Sequence, residues 1–195
     1  ACGYENVGTV EFLFDLDRDE VYFMEMNTRL QVEHPVTEVT TDTDIVRKQF
    51  EIAGGATIDD LSPREQGYGM EVRVNAEKAV LNAQGEVSFQ PTPGEITVCE
   101  LPEEEHIRVI SMAREGKGVP PFYDSLIIQI ICYGSDRTDT IDKLLAYLER
   151  VVINGVSTNL SLIKRILRDE TFRGGDYDTG YLPAFLSKID TSELI

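Results

Sequence analysis

The sequence predicts an α+β fold built in two parts, and three observations predict it. Residues 9–27 alternate polar and apolar side chains on either side of one polar turn, the period of a two-stranded antiparallel ribbon. Residues 70–132 hold several segments rich in β-forming side chains, separated by Pro91, Pro93-Gly94 and Pro120-Pro121. Residues 138–168 hold two segments whose apolar side chains recur at helical spacing.

In chain order, residues 9–15 and 21–27 form the two arms of a hairpin, with Leu16-Asp17-Arg18-Asp19 as its turn. Residues 28–41 lack helical periodicity and predict a loop. A helix follows over 44–53, with Asp42 or Thr43 as N-cap and Gly54-Gly55 as its stop. A polar linker ends near Gln66, and the domain boundary falls between Gly55 and Gly67. Residues 1–55 form one part and 67–188 the other. In the second part strands are expected over 70–75, 96–101, 107–113 and 125–132. Helices are expected over 138–150, carrying Ile141, Leu144, Leu145 and Leu148, and over 160–168, carrying Leu160, Ile163 and Leu167. A short helix is expected over 181–188.

Composition excludes several classes of function. Hydrophobic residues at 42% and charged residues at 27% suit a globular chain and not a disordered one. A formal charge of -17 argues against binding nucleic acid or an anionic membrane, since both need surplus Lys and Arg. Any anion handled here is drawn in by a few local arginines. Cys2, Cys99 and Cys132 are odd in number and far apart, and only two histidines are present. A structural zinc site and a disulfide framework are therefore not expected, and reduced thiols point to a cytoplasmic protein. The strongly apolar run over 126–132 is too short to span a bilayer. The opening Ala-Cys-Gly-Tyr reads as the start of a fragment.

Chemistry concentrates near the hairpin. Side chains alternate faces along a strand, so Glu25 and Asn27 share one. A turn centred on Arg18 sets Glu11 opposite Glu25 on that face. Like charges across a ladder repel, and a hard divalent cation relieves this with carboxylate and amide oxygens. Two carboxylates and one amide suit Mg²⁺ held against ATP phosphates; a hydrated acidic face is the plainer alternative. Arg29, Gln31, Glu33 and His34 follow within a few residues. Arg29 offers a planar fork to an oxyanion, and Glu33 a base for a weakly acidic hydroxyl. The plainer alternative is an Arg–Glu pair bracing a loop.

Glu25-Met-Asn-Thr-Arg-Leu-Gln-Val-Glu-His-Pro-Val-Thr-Glu38 resembles the signature of the biotin carboxylases. The resemblance extends to residues 8–14, to Glu71-Val-Arg-Val-Asn-Ala-Glu77, to Pro91-Thr-Pro-Gly94, to Val119-Pro-Pro-Phe-Tyr-Asp-Ser125 and to Gly155-Val-Ser-Thr-Asn159. It runs from Gly3 to Lys188. It implies the end of an ATP-grasp antiparallel sheet, followed by the mixed α/β C-terminal domain of a biotin carboxylase. It also implies roles. Glu11, Glu25 and Asn27 match the residues that hold Mg²⁺ or Mn²⁺ against ATP. Arg29, Gln31 and Val32, the last through its backbone, match the bicarbonate site, and Glu33 matches the base that removes the bicarbonate proton. Arg73 matches the arginine that stabilises the biotin enolate; unaided, it reads as a strand arginine paired with Glu71 or Glu77. The implied reaction makes carboxyphosphate from bicarbonate and ATP, releases carbon dioxide, and carboxylates biotin N1′ on a carrier protein.

The implied partners are the N-terminal remainder of the same enzyme, a biotin carboxyl carrier protein or domain, and a carboxyltransferase. No nucleic acid or membrane partner is implied. Glu105 and Ile110 depart from the family pattern, so its usual dimer is not expected to form tightly. Residues 78–85 also depart from it. The phosphate lid and adenine-binding residues lie outside these 195 residues, so the chain alone is expected to be inactive. The competing readings are another ATP-grasp ligase of the carbamoyl-phosphate synthetase type, and a non-catalytic assembly module. His34 reads as a loop-holding hydrogen bond, Tyr123 and Asp124 as packing and turn-capping residues, and Cys132 as a small core residue.

Overall fold

The computed structural model describes residues 3–59, 61–81 and 87–189, which group into two compact units, residues 1–66 and 67–195. Cys2 and residues 82–85 of the divergent stretch lie outside the described residues.

The first unit begins with the hairpin. β1 (Thr9–Asp15) pairs antiparallel with β2 (Glu20–Asn27). Two helices follow, α1 (His34–Thr41) and α2 (Ile45–Ala53). α1 corrects the loop expected over 28–41; only 28–33 stay non-helical. The segment is rich in Thr and Val, which favour strands, and has no apolar stripe. Polar contacts make the helix instead. Pro35 sits in its first turn, where its fixed φ suits a helix start. Thr40 and Thr41 donate their hydroxyls to the carbonyls of Val36 and Thr37 at 3.0 and 2.7 Å. Glu38 is buried and accepts from the Ile45 N–H at 2.8 Å, which couples the two helices. The cap of α2 is Asp44, not Asp42 or Thr43, and its carboxylate accepts from the Arg47 N–H at 2.8 Å. Asp42 is left-handed at φ 51° and ends α1.

The second unit runs β3 (Tyr68–Asn75), β4 (Glu77–Leu81), β5 (Val87–Pro91), β6 (Gly94–Glu95), β7 (Val98–Glu100), β8 (Ile107–Ser111), β9 (Gly118–Val119) and β10 (Leu126–Gly134), then α3 (Arg137–Leu148), β11 (Val152–Asn154), α4 (Leu160–Arg168), α5 (Glu170–Gly174) and α6 (Tyr181–Leu186). β10 is the central strand of an antiparallel sheet ordered β3-β10-β8. Buried side chains lie on both its faces, which is why 126–132 reads as an apolar run interrupted by Gln129 alone. Val72 and Val74 of β3 and Ile128, Ile130 and Cys132 of β10 form one core with Ile141, Leu144, Tyr147 and Leu148 of α3. Asp136 caps α3 through the Asp139 N–H at 2.9 Å. Arg137 ties the start of β3 to α5, donating to the Tyr68 hydroxyl at 2.6 Å and the Phe172 carbonyl at 2.5 Å.

β7 lies within the strand expected over 96–101; β4, β5, β6, β9 and β11 and the helix α5 were not expected from sequence. They are short, and no sheet or helix period completes itself within them.

Candidate functional site

The hairpin register places the first cluster. Near the turn, Asp15 pairs with Glu20 and Phe12 with Phe23. Continued unchanged, that register would set Glu11 against Met24 and turn Glu25 to the other face. It shifts between Glu11 and Phe12, leaving Met24 without a strand partner, and Glu11 then faces Glu25 directly. The pairing expected from a turn at Arg18 is realised only through this irregularity.

Asn27 lies between the two acids. Its Nδ2 donates to Glu11 Oε1 at 2.7 Å and to Glu25 Oε1 at 3.2 Å. Gln31 Nε2 adds a contact to Glu11 Oε1 at 3.3 Å. Two carboxylates thus converge on one amide that sets a positive dipole end between them. A 180° turn of that amide would present Oδ1 and complete a set of hard oxygen donors. This set fits Mg²⁺ or Mn²⁺ with further positions left for phosphate and water. Among the described residues no cluster of three or more His, Cys, Asp or Glu could hold a metal.

The loop after β2 carries the next group. Arg29 is exposed and its Nη1 donates to the Leu30 carbonyl at 3.3 Å. Val32 and Glu33 are exposed, and Glu33 occupies the N-cap position of α1 without a side-chain capping bond. The Glu33 carboxylate is therefore not spent on capping the helix. His34 Nδ1 meets the Gln31 carbonyl at 2.8 Å, and the Glu33 carbonyl accepts from the Val36 N–H at 3.1 Å. These bonds close the loop onto α1, as expected of His34. Gln31 joins the acid cluster; Arg29, Val32 and Glu33 flank it in sequence.

Arg73 belongs to the second unit, on β3. Val72 and Val74 point into the core, so Arg73 points out of it. Its Nε donates to Glu71 Oε1 at 2.9 Å. The Arg73 side chain is 43% exposed and that of Glu71 only 6%. The carboxylate is thus buried beneath a guanidinium that still reaches solvent. Glu77 is engaged by Asn75 Nδ2 at 3.2 Å and by the Ser125 hydroxyl at 3.1 Å. Tyr123 is 81% exposed, which corrects its expected packing role. Asp124 does cap a turn, accepting from the Leu126 N–H at 2.8 Å. Cys132 is buried, and burial pushes its thiol up to about 11.

Known proteins resemble this chain along nearly its whole length. The Biotin carboxylase C-terminal domain family matches residues 71–184, more than half of the chain. The chain belongs to the biotin carboxylase family. The Carbamoyl-phosphate synthase L chain, ATP binding domain family matches residues 1–61. That second match is confined to the first unit, so it does not favour the carbamoyl-phosphate synthetase reading over the whole chain. Among relatives, Biotin carboxylase 1 of Bacillus subtilis is 40% identical over 190 residues, covering 95% of this chain and 40% of the relative. The biotin carboxylase of Haemophilus influenzae is 40% identical over 184 residues, covering 92% and 39%. The biotin carboxylase domain of the Hydrogenobacter thermophilus 2-oxoglutarate carboxylase, solved with MgADP, ADP and bicarbonate, superposes with a TM-score of 0.85 at 37% identity, over 96% of this chain and 41% of that one. The chain therefore spans about two fifths of the relatives it matches.

Sequence reasoning missed two contributors. Glu38 anchors α1, and Pro35 in the first turn was the available signal. Asn159, at the end of the Gly155–Asn159 stretch, contacts β3 beside Arg73; its contact was missed because an Asn before an apolar helix reads as a cap.

Proposed function

We propose that this chain supplies the metal, bicarbonate and biotin-facing residues of an ATP-dependent biotin carboxylase. The observation that carries the reading is the Glu11–Glu25 pair, held face to face across the hairpin with the Asn27 amide between them.

Glu11, Glu25 and Asn27 would hold Mg²⁺ or Mn²⁺, whose chemistry there is to neutralise charge on the ATP phosphates. Arg29, Gln31 and the Val32 backbone receive bicarbonate, the guanidinium fork matching two of its oxygens. Glu33 takes the bicarbonate proton as a bicarbonate oxygen attacks the γ-phosphorus of ATP; the bond from that phosphorus to the bridging oxygen breaks, ADP leaves and carboxyphosphate forms. Arg73 presents a fixed cation to the ureido oxygen of biotin as negative charge gathers there. Glu71 beneath it keeps the guanidinium paired and oriented from one side.

The carboxylated group would be biotin on a carrier protein or domain, and a carboxyltransferase would take the product. We assign the enzyme to the cytoplasm on the unpaired thiols of Cys99 and Cys132. Glu105 and Ile110 support a weak dimer. Among the described residues no helix is long and apolar enough to cross a membrane.

The test uses the complete carboxylase that carries this chain. Arg73→Ala lowers biotin carboxylation by about 100-fold and bicarbonate-dependent ATP hydrolysis far less, because charge develops on biotin only after ATP is cleaved. Equal loss of both activities overturns the role of Arg73.

A further inference from the structure

We propose that Asn159 is a positioning residue for Arg73: its side chain replaces a neighbouring strand on the open edge of β3 and fixes the backbone from which the guanidinium projects. The inference rests on the role given to Arg73 above.

β3 is an edge strand, hydrogen-bonded along one side to β10. The N–H and C=O of one strand residue point to the same side, and successive residues alternate. Arg73 and Asn75 therefore direct their backbone groups away from β10. An edge that presents such groups is free to shift unless something meets them. One residue meets three of them. Asn159 Nδ2 donates to the Arg73 carbonyl at 3.1 Å. Asn159 Oδ1 accepts from the Asn75 N–H at 2.9 Å. The backbone N–H of Asn159 donates to the Asn75 carbonyl at 3.2 Å. These bonds reproduce the rungs of a ladder across the step that carries Arg73.

A side-chain amide offers one donor and one acceptor at this spacing. The two partners also fix its orientation, with oxygen toward an N–H and nitrogen toward a C=O. A carboxylate would bring oxygen against the Arg73 carbonyl.

A second observation separates this from ordinary helix capping. Asn159 is the N-cap residue of α4, a position where Asn normally caps through its side chain. It makes no side-chain capping bond. Its amide is turned to β3 instead.

The loop before it is built to hold it there. Gly155 has φ +96°, and a Cβ at that position would collide with the Glu95 carbonyl oxygen. The Thr92 hydroxyl donates to the Ser157 carbonyl at 2.6 Å, and the Thr92 N–H to the Ala76 carbonyl at 2.8 Å. Residues 155–159 are thereby stitched to the chain that follows β3, and Asn159 clamps β3 itself. Arg is long and rotamer-rich, so the place of its guanidinium depends on how firmly its backbone is held.

The experiment measures Asn159→Ala, Asn159→Asp, Arg73→Ala and Asn159→Ala combined with Arg73→Ala in the complete carboxylase carrying this chain. Biotin carboxylation, bicarbonate-dependent ATP hydrolysis and Tm are read for each. Both Asn159 variants are expected to lower kcat for biotin carboxylation by about 10- to 100-fold, with KM for ATP and bicarbonate unchanged within about twofold. In the Arg73→Ala background, Asn159→Ala is expected to cost nothing further in carboxylation, since both changes remove one function. Asn159→Asp, which keeps the acceptor for Asn75, is the second variant should Asn159→Ala fold poorly. Loss of carboxylation, ATP hydrolysis and Tm together in both Asn159 variants overturns the inference in favour of a structural role. So does an undiminished effect of Asn159→Ala in the Arg73→Ala background. Arg73→Ala losing both activities equally overturns the underlying reading of Arg73 instead.

Discussion

At the residue scale, charge and burial set the expectations. Glu11 and Glu25 face each other with amide contacts as their relief, so each destabilises the other when no cation is present. Glu25→Gln removes that repulsion. It is expected to leave the Tm of the metal-free protein unchanged or raised, and to lower turnover of the complete carboxylase by about tenfold or more with a higher metal requirement. A normal rate with unchanged metal dependence would remove the pair from the site. Cys132 is buried in the core against the Thr140 carbonyl at 3.5 Å. Burial raises its thiol from 9.0 to about 11. At pH 8 only about one part in a thousand is thiolate, so iodoacetamide is expected to leave it unmodified until denaturant is added, as mass spectrometry would read. The folded state holds this proton more tightly than the unfolded state does. Its contribution to stability is complete at neutral pH and is lost as pH rises from about 9 towards 11.

At the element scale, α3 shows which contacts hold the second unit together. Leu144 has no exposed surface and packs among Val72, Ile128 and Leu148. Leu144→Ala is expected to cost about 2–5 kcal/mol, from lost burial and the cavity left behind. Asp136 holds only the first turn of the helix. Asp136→Ala is expected to cost about 1 kcal/mol. Urea denaturation with an unchanged slope measures both; the reverse ranking would mean that the cap, not the core face, fixes the helix. The helices α3 and α4 and the central strand were legible because each completes its period within its own segment. α1 was not, since its stability comes from Thr hydroxyls, Pro35 and buried Glu38 and not from an apolar stripe. The candidate site was legible in the same uneven way. Glu25 and Asn27 followed from strand alternation and Glu11 from a turn assumed at Arg18, whereas the contact of Asn159 with Asn75, 84 residues away in sequence, has no local sign.

At the scale of the whole molecule, the two units differ in what they bury. The described core residues of the second unit form one large cluster and a smaller one of Ala79, Leu162 and Leu186. In the hairpin of the first, Phe12, Leu13, Phe14, Val21, Tyr22, Phe23 and Met24 are all exposed, on both faces. A two-stranded ribbon with apolar faces in water is marginal by itself. Taken alone, the 195-residue chain is therefore expected to bind Mg-ATP weakly and to show no bicarbonate-dependent phosphate release. Phosphoryl transfer depends on positioning and on excluding water from the phosphates. Hydrogen exchange is expected to be fast over 9–27 and slow over β10 and α3. Tight ATP binding by calorimetry, or turnover by the chain alone, would refute this.

The sequence by itself determined the alternating hairpin, the buried central strand and the two amphipathic helices, and it displayed the acids and arginines proposed to carry the chemistry. Those features rest on periods of two and 3.6 residues and on side-chain type, which a linear chain displays in full. Tertiary structure decided the rest. It shifted the hairpin register so that Glu11 meets Glu25, and it buried Glu38 to make α1. It also turned Asn159 away from its own helix towards β3. The last two outcomes depend on a polar group finding a partner outside its own periodic segment, and hydrogen-bond satisfaction of that kind has no period to read.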